Sequence, residues 1–152
     1  MLTILLALGL LGPVTPGEEP STISTPTQRI IVLSRANGFA QATHAIDPYD
    51  VLNYLVDLSS LLEADEGFDS VDIAILPASA VQGFTIPESG PYQSTEVDDR
   101  HILIWPQIGE GNQGSAAWAG KGTTCGFEVS ATTTSTPPRR WQRTVLIRVA
   151  QR

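Results

Sequence analysis

The chain is poor in the residues from which most catalytic and metal centres are built. Its 152 residues include one cysteine, Cys125, and two histidines, His44 and His101. A lone cysteine closes no internal disulfide, and a zinc site of three or four ligands needs more His and Cys unless carboxylates substitute. Cys125, in a strand-like run between Thr123 and Phe127, reads as a small buried thiol. Both histidines read as surface polar residues. Residues 36 to 99 contain no basic side chain but twelve acidic ones. The net charge of −7 argues against nonspecific binding to DNA or to an anionic membrane. The apolar run Met1 to Gly12 falls short of the roughly 20 residues that span a bilayer. A secretory leader is disfavoured by the lack of Lys or Arg before that run and of an Ala-x-Ala site after it.

Turns, by contrast, are plentiful. Eleven prolines and thirteen glycines divide the chain into short segments, which favours β-structure over long helices. Apolar residues at 41% with mean hydropathy near zero fit one folded core. Arg29 to Ser34 is apolar and β-branched, and Asn37-Gly38 marks a turn after it. Val71 to Leu76 alternates and stops at Pro77; Gly83 to Ile86 is short and stops at Pro87; His101 to Trp105 stops at Pro106. From Gly122 to Thr134, Cys125, Phe127, Val129 and Ala131 share one face. Thr136-Pro137-Pro138 turns the chain, and Trp141, Val145, Ile147 and Val149 face inward on the return. About seven short strands of this kind predict an antiparallel sandwich over residues 29–152. Residues 1–28 read as an apolar arm followed by a linker rich in Pro, Ser and Thr.

Motifs with chemical meaning lose their context on inspection. Gly109-Glu-Gly111-Asn-Gln-Gly114 is a literal G-x-G-x-x-G after a strand, yet no helix opens on its last glycine and no βαβ pattern surrounds it. Gly120-Lys121 is followed by Gly122, not Ser or Thr, so it is no P-loop. Both read as hairpin loops. Serines are plentiful, but no nucleophile elbow appears. Glu63-Ala-Asp-Glu-Gly-Phe-Asp69 lacks calcium-loop spacing and reads as an acidic turn. No catalytic residue, metal or cofactor is expected. Trp105 and Trp141 sit among apolar strand neighbours and are expected in the core; Trp118, in a glycine-alanine loop, is expected exposed as a partner contact. Residues 100–152 hold seven basic side chains against two acidic ones. The acidic and basic halves either pair within one domain or pair between neighbouring subunits.

The segment Asp47 to Leu62 admits two local readings. Asp47 could cap a helix with Pro48 at its first position and Gly67 as its stop. Leu52, Tyr54, Val56 and Leu58 also alternate as a strand, with Leu55 the misfit. Here a resemblance enters. Asp47, Pro48, Leu52, Asn53, Tyr54, Asp57, Leu58, Ser59 and Leu62 resemble the opening strand and Ser-x-x-Leu turn of immunoglobulin-like phage fibre-to-tail adaptors, and the order of elements continues to Val149. Asn53 and Leu58 stand where that family has an acid and a tryptophan, Thr136-Pro137-Pro138 replaces a glycine turn, and the amino-terminal extension is long. The resemblance implies an immunoglobulin-like sandwich and makes the segment a strand ending in a helical turn near Ser60. It also implies a non-enzymatic virion protein of the tail or collar. Its copies would form a ring and bind other tail, collar or fibre proteins, with no role for nucleic acid or membrane. A head-to-tail joining or tail-tube protein is the rival within that class, and a carbohydrate-binding module the rival outside it. In this reading Leu2, Ile4, Leu5, Leu6, Leu8, Leu10 and Leu11 bury the arm against another subunit or tail protein.

Overall fold

The computed structural model describes residues 29–152. The chain there is all-β with one short helix. Ten strands follow in order: β1 (Ile30–Val32), β2 (Phe39–Gln41), β3 (Tyr54–Asp57), β4 (Phe68–Ile75), β5 (Phe84–Thr85), β6 (Thr95–Glu96), β7 (His101–Ile104), β8 (Gln107–Ile108), β9 (Thr123–Thr133) and β10 (Arg140–Val149). Helix α1 (Pro77–Val81) lies between β4 and β5, and Pro77 opens it where a missing N–H does no harm.

Two four-stranded sheets share one hydrophobic core. The first has the order β1-β3-β7-β6, the second β2-β10-β9-β4, and β5 and β8 form a small ribbon. The spine is the β9–β10 hairpin, paired from Arg140–Thr132 through Val149–Thr123. Its period-two pattern is as expected: Cys125, Phe127, Val129, Ala131, Val145, Ile147 and Val149 are all buried. Burial pushes the Cys125 thiol up to about 11, so it stays protonated and inert at neutral pH. Facing them, Tyr54, Val56, Ile102 and Ile104 are buried from the first sheet.

The sheets are mixed, which corrects the antiparallel expectation. β1 runs parallel to β3, and β2 runs parallel to β10. The physical reason lies in the crossing after β1. The chain leaves the first sheet at Leu33, turns through Asn37-Gly38 and joins the second sheet at Phe39. Strands that change sheets in this way fill corners of two-sheet folds. The second parallel pairing continues past β2: Ala42 and Ile46 donate to the carbonyls of Leu146 and Arg148, and Ala150 donates back to Ile46.

Between Asp47 and Leu62 the strand reading holds, with a boundary the local signals explain. Asp47 does cap a turn: its Oδ1 accepts from the Tyr49 N–H at 3.0 Å, and its carbonyl accepts from Asp50 at 3.0 Å. That turn ends after one cycle. β3 then pairs antiparallel with β7, Tyr54 opposite Ile104 and Asp57 opposite His101, and Ser59–Leu61 forms a single 3-10 turn. Leu55, the misfit of the alternation, lies on the outer face in a cross-strand row with Ile30 and Leu103, where such pairs stabilise a sheet. Leu58, at the tryptophan position of the resemblance, is fully buried.

Val56 is fully buried in the middle of this strand. Val56→Asp would place an unpaired carboxylate there, at a cost of several kcal/mol out of a total stability of roughly 5–15 kcal/mol. The expected outcome is loss of the cooperative thermal transition followed by circular dichroism. A variant that melts like the parent would disprove the buried placement.

Candidate functional site

The seven leucine and isoleucine positions expected in the arm (Leu2, Ile4, Leu5, Leu6, Leu8, Leu10 and Leu11) lie outside the described residues. Trp118, the eighth expected contact, is placed otherwise than expected. It is fully buried, part of the core, and its indole Nε1–H donates to the Asn112 carbonyl at 2.7 Å. A 3-10 turn at Ala116–Trp118, begun by Ser115 accepting from the Ala117 N–H, rolls the ring under the loop. Its carbonyl also takes the N–H of Gln151 at 2.8 Å, tying the loop to the end of the chain. The small residues around Trp118 let backbone close over the ring. Trp105 shows the converse. It is half-buried beside Tyr92, ring centroids 5.4 Å apart and planes inclined at 55°, and Tyr92 is 42% exposed. Trp141 packs against the core with the guanidinium groups of Arg143 and Arg35 at 5.1 and 5.8 Å from its ring centre.

The loops singled out by motif are connections of other kinds. Gly109 to Gly122 holds two 3-10 turns and carries the chain from the β5–β8 ribbon to β9, so neither glycine motif sits on a hairpin. His44 is exposed. His101 stands between two carboxylates, its Nδ1 2.8 Å from Asp98 and its Nε2 3.6 Å from Asp57. Among the described residues no group of three His, Cys, Asp or Glu side chains is arranged to hold a metal.

Two features of the surface carry structure that a partner or a pH change would feel. The first closes one end of the body. Glu66 is only 4% exposed, and Arg139 binds it through both Nε and Nη2 while its Nη1 reaches Glu63 at 3.2 Å. Arg35 donates to Glu63 at 2.8 Å, and Arg100 donates to the carbonyls of Glu63, Ala64 and Glu66. The acidic turn is therefore a knot held by three arginines. At this end the acidic and basic halves pair within one molecule. The Arg139 guanidinium, helped by the Glu63 N–H, holds the Glu66 carboxyl well down, at about 2.

The second feature is a groove of about 640 Å³ on one lateral side, between the edge strands β4 and β6. Val71, Ile73 and Ile75 form one wall, Ile86 and Ile102 face them, and Asp72, Glu88 and Glu96 carry the rim. The three wall residues pack against the core yet are only partly buried, because β6 is two residues long and covers little of the eight-residue β4. Among the described residues β4 is also unpaired on this side. Leu76 donates to Gly126 at 3.1 Å, so alternation turns Ala74 and Asp72 toward β9. The N–H and C=O groups of Val71, Ile73 and Ile75 point out into the groove. A free edge beside uncovered apolar side chains is the arrangement that accepts an added strand. The alternation of Val71 to Ile75 was visible in the sequence; its lack of a second neighbour was not.

No protein-family model, curated protein or solved structure matches the chain.

Two outcomes follow from these placements. Trp118→Ala should cost roughly 3–5 kcal/mol, since it empties a fully buried aromatic site; an unchanged denaturant midpoint would contradict the placement. Glu66 contributes fully above its ordinary value of 4.5, and that contribution disappears as pH falls toward about 2, because the depressed carboxyl must then take up a proton. Melting temperatures measured from pH 7 to pH 2 should therefore drop between those values in the parent and drop less in Glu66→Gln, which starts lower at pH 7.

Proposed function

We propose that this chain is a non-enzymatic structural protein of a phage virion, an adaptor of the tail or collar that attaches fibres or joins tail components. In this reading the two-sheet body is an immunoglobulin-like sandwich, present in several copies and bound to other tail, collar or fibre proteins. One observation carries it: the path of Asp47 to Leu62. Helix-start signals are present there, yet the segment runs as a capped turn, then a core strand, then a 3-10 turn at Ser59–Leu61. That is the order the resemblance to fibre-to-tail adaptors implies. The alternating segments expected at Gly122–Thr134 and Trp141–Val149 form the long β9–β10 hairpin.

The aromatic side chains weigh against the carbohydrate-binding alternative. A sugar platform needs exposed rings in one plane, whereas Trp118 is buried, Trp141 lies beneath two arginines, and Tyr92 and Trp105 meet at 55°.

The test is the composition of particles made by the replicon that encodes the chain. Mass spectrometry should find the chain in purified virions, and immunogold labelling of an epitope-tagged copy should mark the tail or its fibre junction. Particles that contain none of it would overturn the reading. Turnover of a glycan, ester or nucleotide by the pure full-length chain, abolished by one side-chain substitution, would overturn its non-enzymatic part.

A further inference from the structure

We infer that the groove between β4 and β6 receives the amino-terminal arm of a neighbouring copy, which enters as an added strand along β4. This rests on the proposed multi-copy assembly and names the surface that builds it. The groove offers what an extended apolar segment needs: three outward-facing backbone positions at Val71, Ile73 and Ile75, with their side chains half-covered. The arm has the matching pattern. Leu2, Ile4, Leu6, Leu8 and Leu10 occupy every second position, alternating with Thr3, Leu5, Ala7, Gly9 and Leu11. As a strand it would present one branched apolar side chain about every 7 Å to the wall of β4.

Charge selects the occupant. Asp72, Glu88 and Glu96 line the groove, so the open edge of one copy repels the open edge of another. Residues 1–17 carry no acidic side chain, and the first, Glu18, comes eight residues after Leu10. The arm can enter where a second β4 cannot. Length brings a neighbour within reach. The chain enters the described body at β1, the edge of the first sheet opposite β6, and crossing that sheet is about 14 Å, or three strand spacings. The sixteen residues 13–28 include Pro13, Pro16, Pro20 and Pro26. Sixteen residues at ~3.1 Å each give a maximum reach of about 50 Å, enough to bring the arm to a neighbouring copy.

Disulfide trapping between two full-length variants tests this. Leu6→Cys, made with heavy nitrogen, is mixed with unlabelled Ile73→Cys and oxidised; Cys125 is fully buried and stays out of the reaction. Glu96→Cys, on the exposed rim, replaces Ile73→Cys if that variant does not fold. The expected product is a peptide joining position 6 of a heavy chain to the groove cysteine of a light one. Absence of that peptide, or a doubly substituted chain that links only within itself, would overturn the inference. Amide exchange gives a second readout. At concentrations where the parent associates, exchange at Val71, Ile73 and Ile75 should slow at least tenfold. Ile73→Pro, which removes an outward N–H together with the Ile73 side chain, should associate at least tenfold more weakly while keeping a cooperative thermal transition. A parent that stays monomeric with fast exchange at all three positions would overturn it equally. These readouts use purified protein, so their failure removes the interface and leaves the virion reading, tested on particles, standing.

Discussion

Everything else in the body hangs on the pairing of β9 with β10. Ten consecutive pairs hold two strands whose inward positions are all apolar from Cys125 to Ala131 and from Val145 to Val149. Among the described residues β2 and β4 have no sheet without this hairpin, since each is paired to one of its strands and to no other. α1 also depends on it. The Ser79 hydroxyl accepts from the Gly126 N–H at 2.8 Å, and a side chain at Gly126 would meet Leu76 and Leu146 at 2.9 Å. The loop that buries Trp118 is anchored just past the end of β10, at Gln151. A break in this ladder would release both edges, the helix and that loop.

The parts of the fold that could be read from the residues are those that alternate. β4, β7, β9 and β10 each carry period two over four or more residues, and each lies on its pattern to within a residue, except that β4 begins three residues before the expected Val71. Pairings between distant segments were not readable. Nothing near Phe39 announces that it will lie parallel to Thr144, more than a hundred residues away. The tryptophans make the same point from the side of burial. Small residues around Trp118 resemble a surface loop locally, but the same smallness lets the backbone fold over the ring. Trp105 alternates correctly with Ile104 and falls on the outer face of the first sheet, where it meets Tyr92 instead of the core. A sequence window records the period of a strand and leaves open which face will be covered.

Charge was legible as a segregation and illegible as a placement. Twelve acidic residues without a basic one between positions 36 and 99 admitted either internal or external pairing. The molecule divides them. Glu63 and Glu66 meet Arg35, Arg100 and Arg139 at one end, where burial of Glu66 makes a partner obligatory. Asp72, Glu88 and Glu96 stand on the open lateral side, and among the described residues no arginine or lysine lines the groove they border.

That division gives the net charge of −7 a structural meaning. The two lateral sides of the body are unequal. One is occupied by β1 and β2, joined directly by the crossing chain; the other leaves β4 exposed along most of its length. An eight-residue strand with a free edge and apolar flanks is a template for unwanted pairing. Two devices restrain it here. A register shift between Phe68 and Ser70 disturbs the start of the strand, and the carboxylates beside Val71 to Ile75 make contact between two such edges costly. Neither device obstructs an uncharged strand. The carboxylates therefore oppose the pairing of two such edges, and an uncharged strand meets no such repulsion. Simple protection would not require leaving Ile73 and Ile75 half-covered, since a longer β6 would have buried them. In the proposed assembly, a retained edge with an acidic rim would admit the uncharged arm of another copy and keep out a second β4.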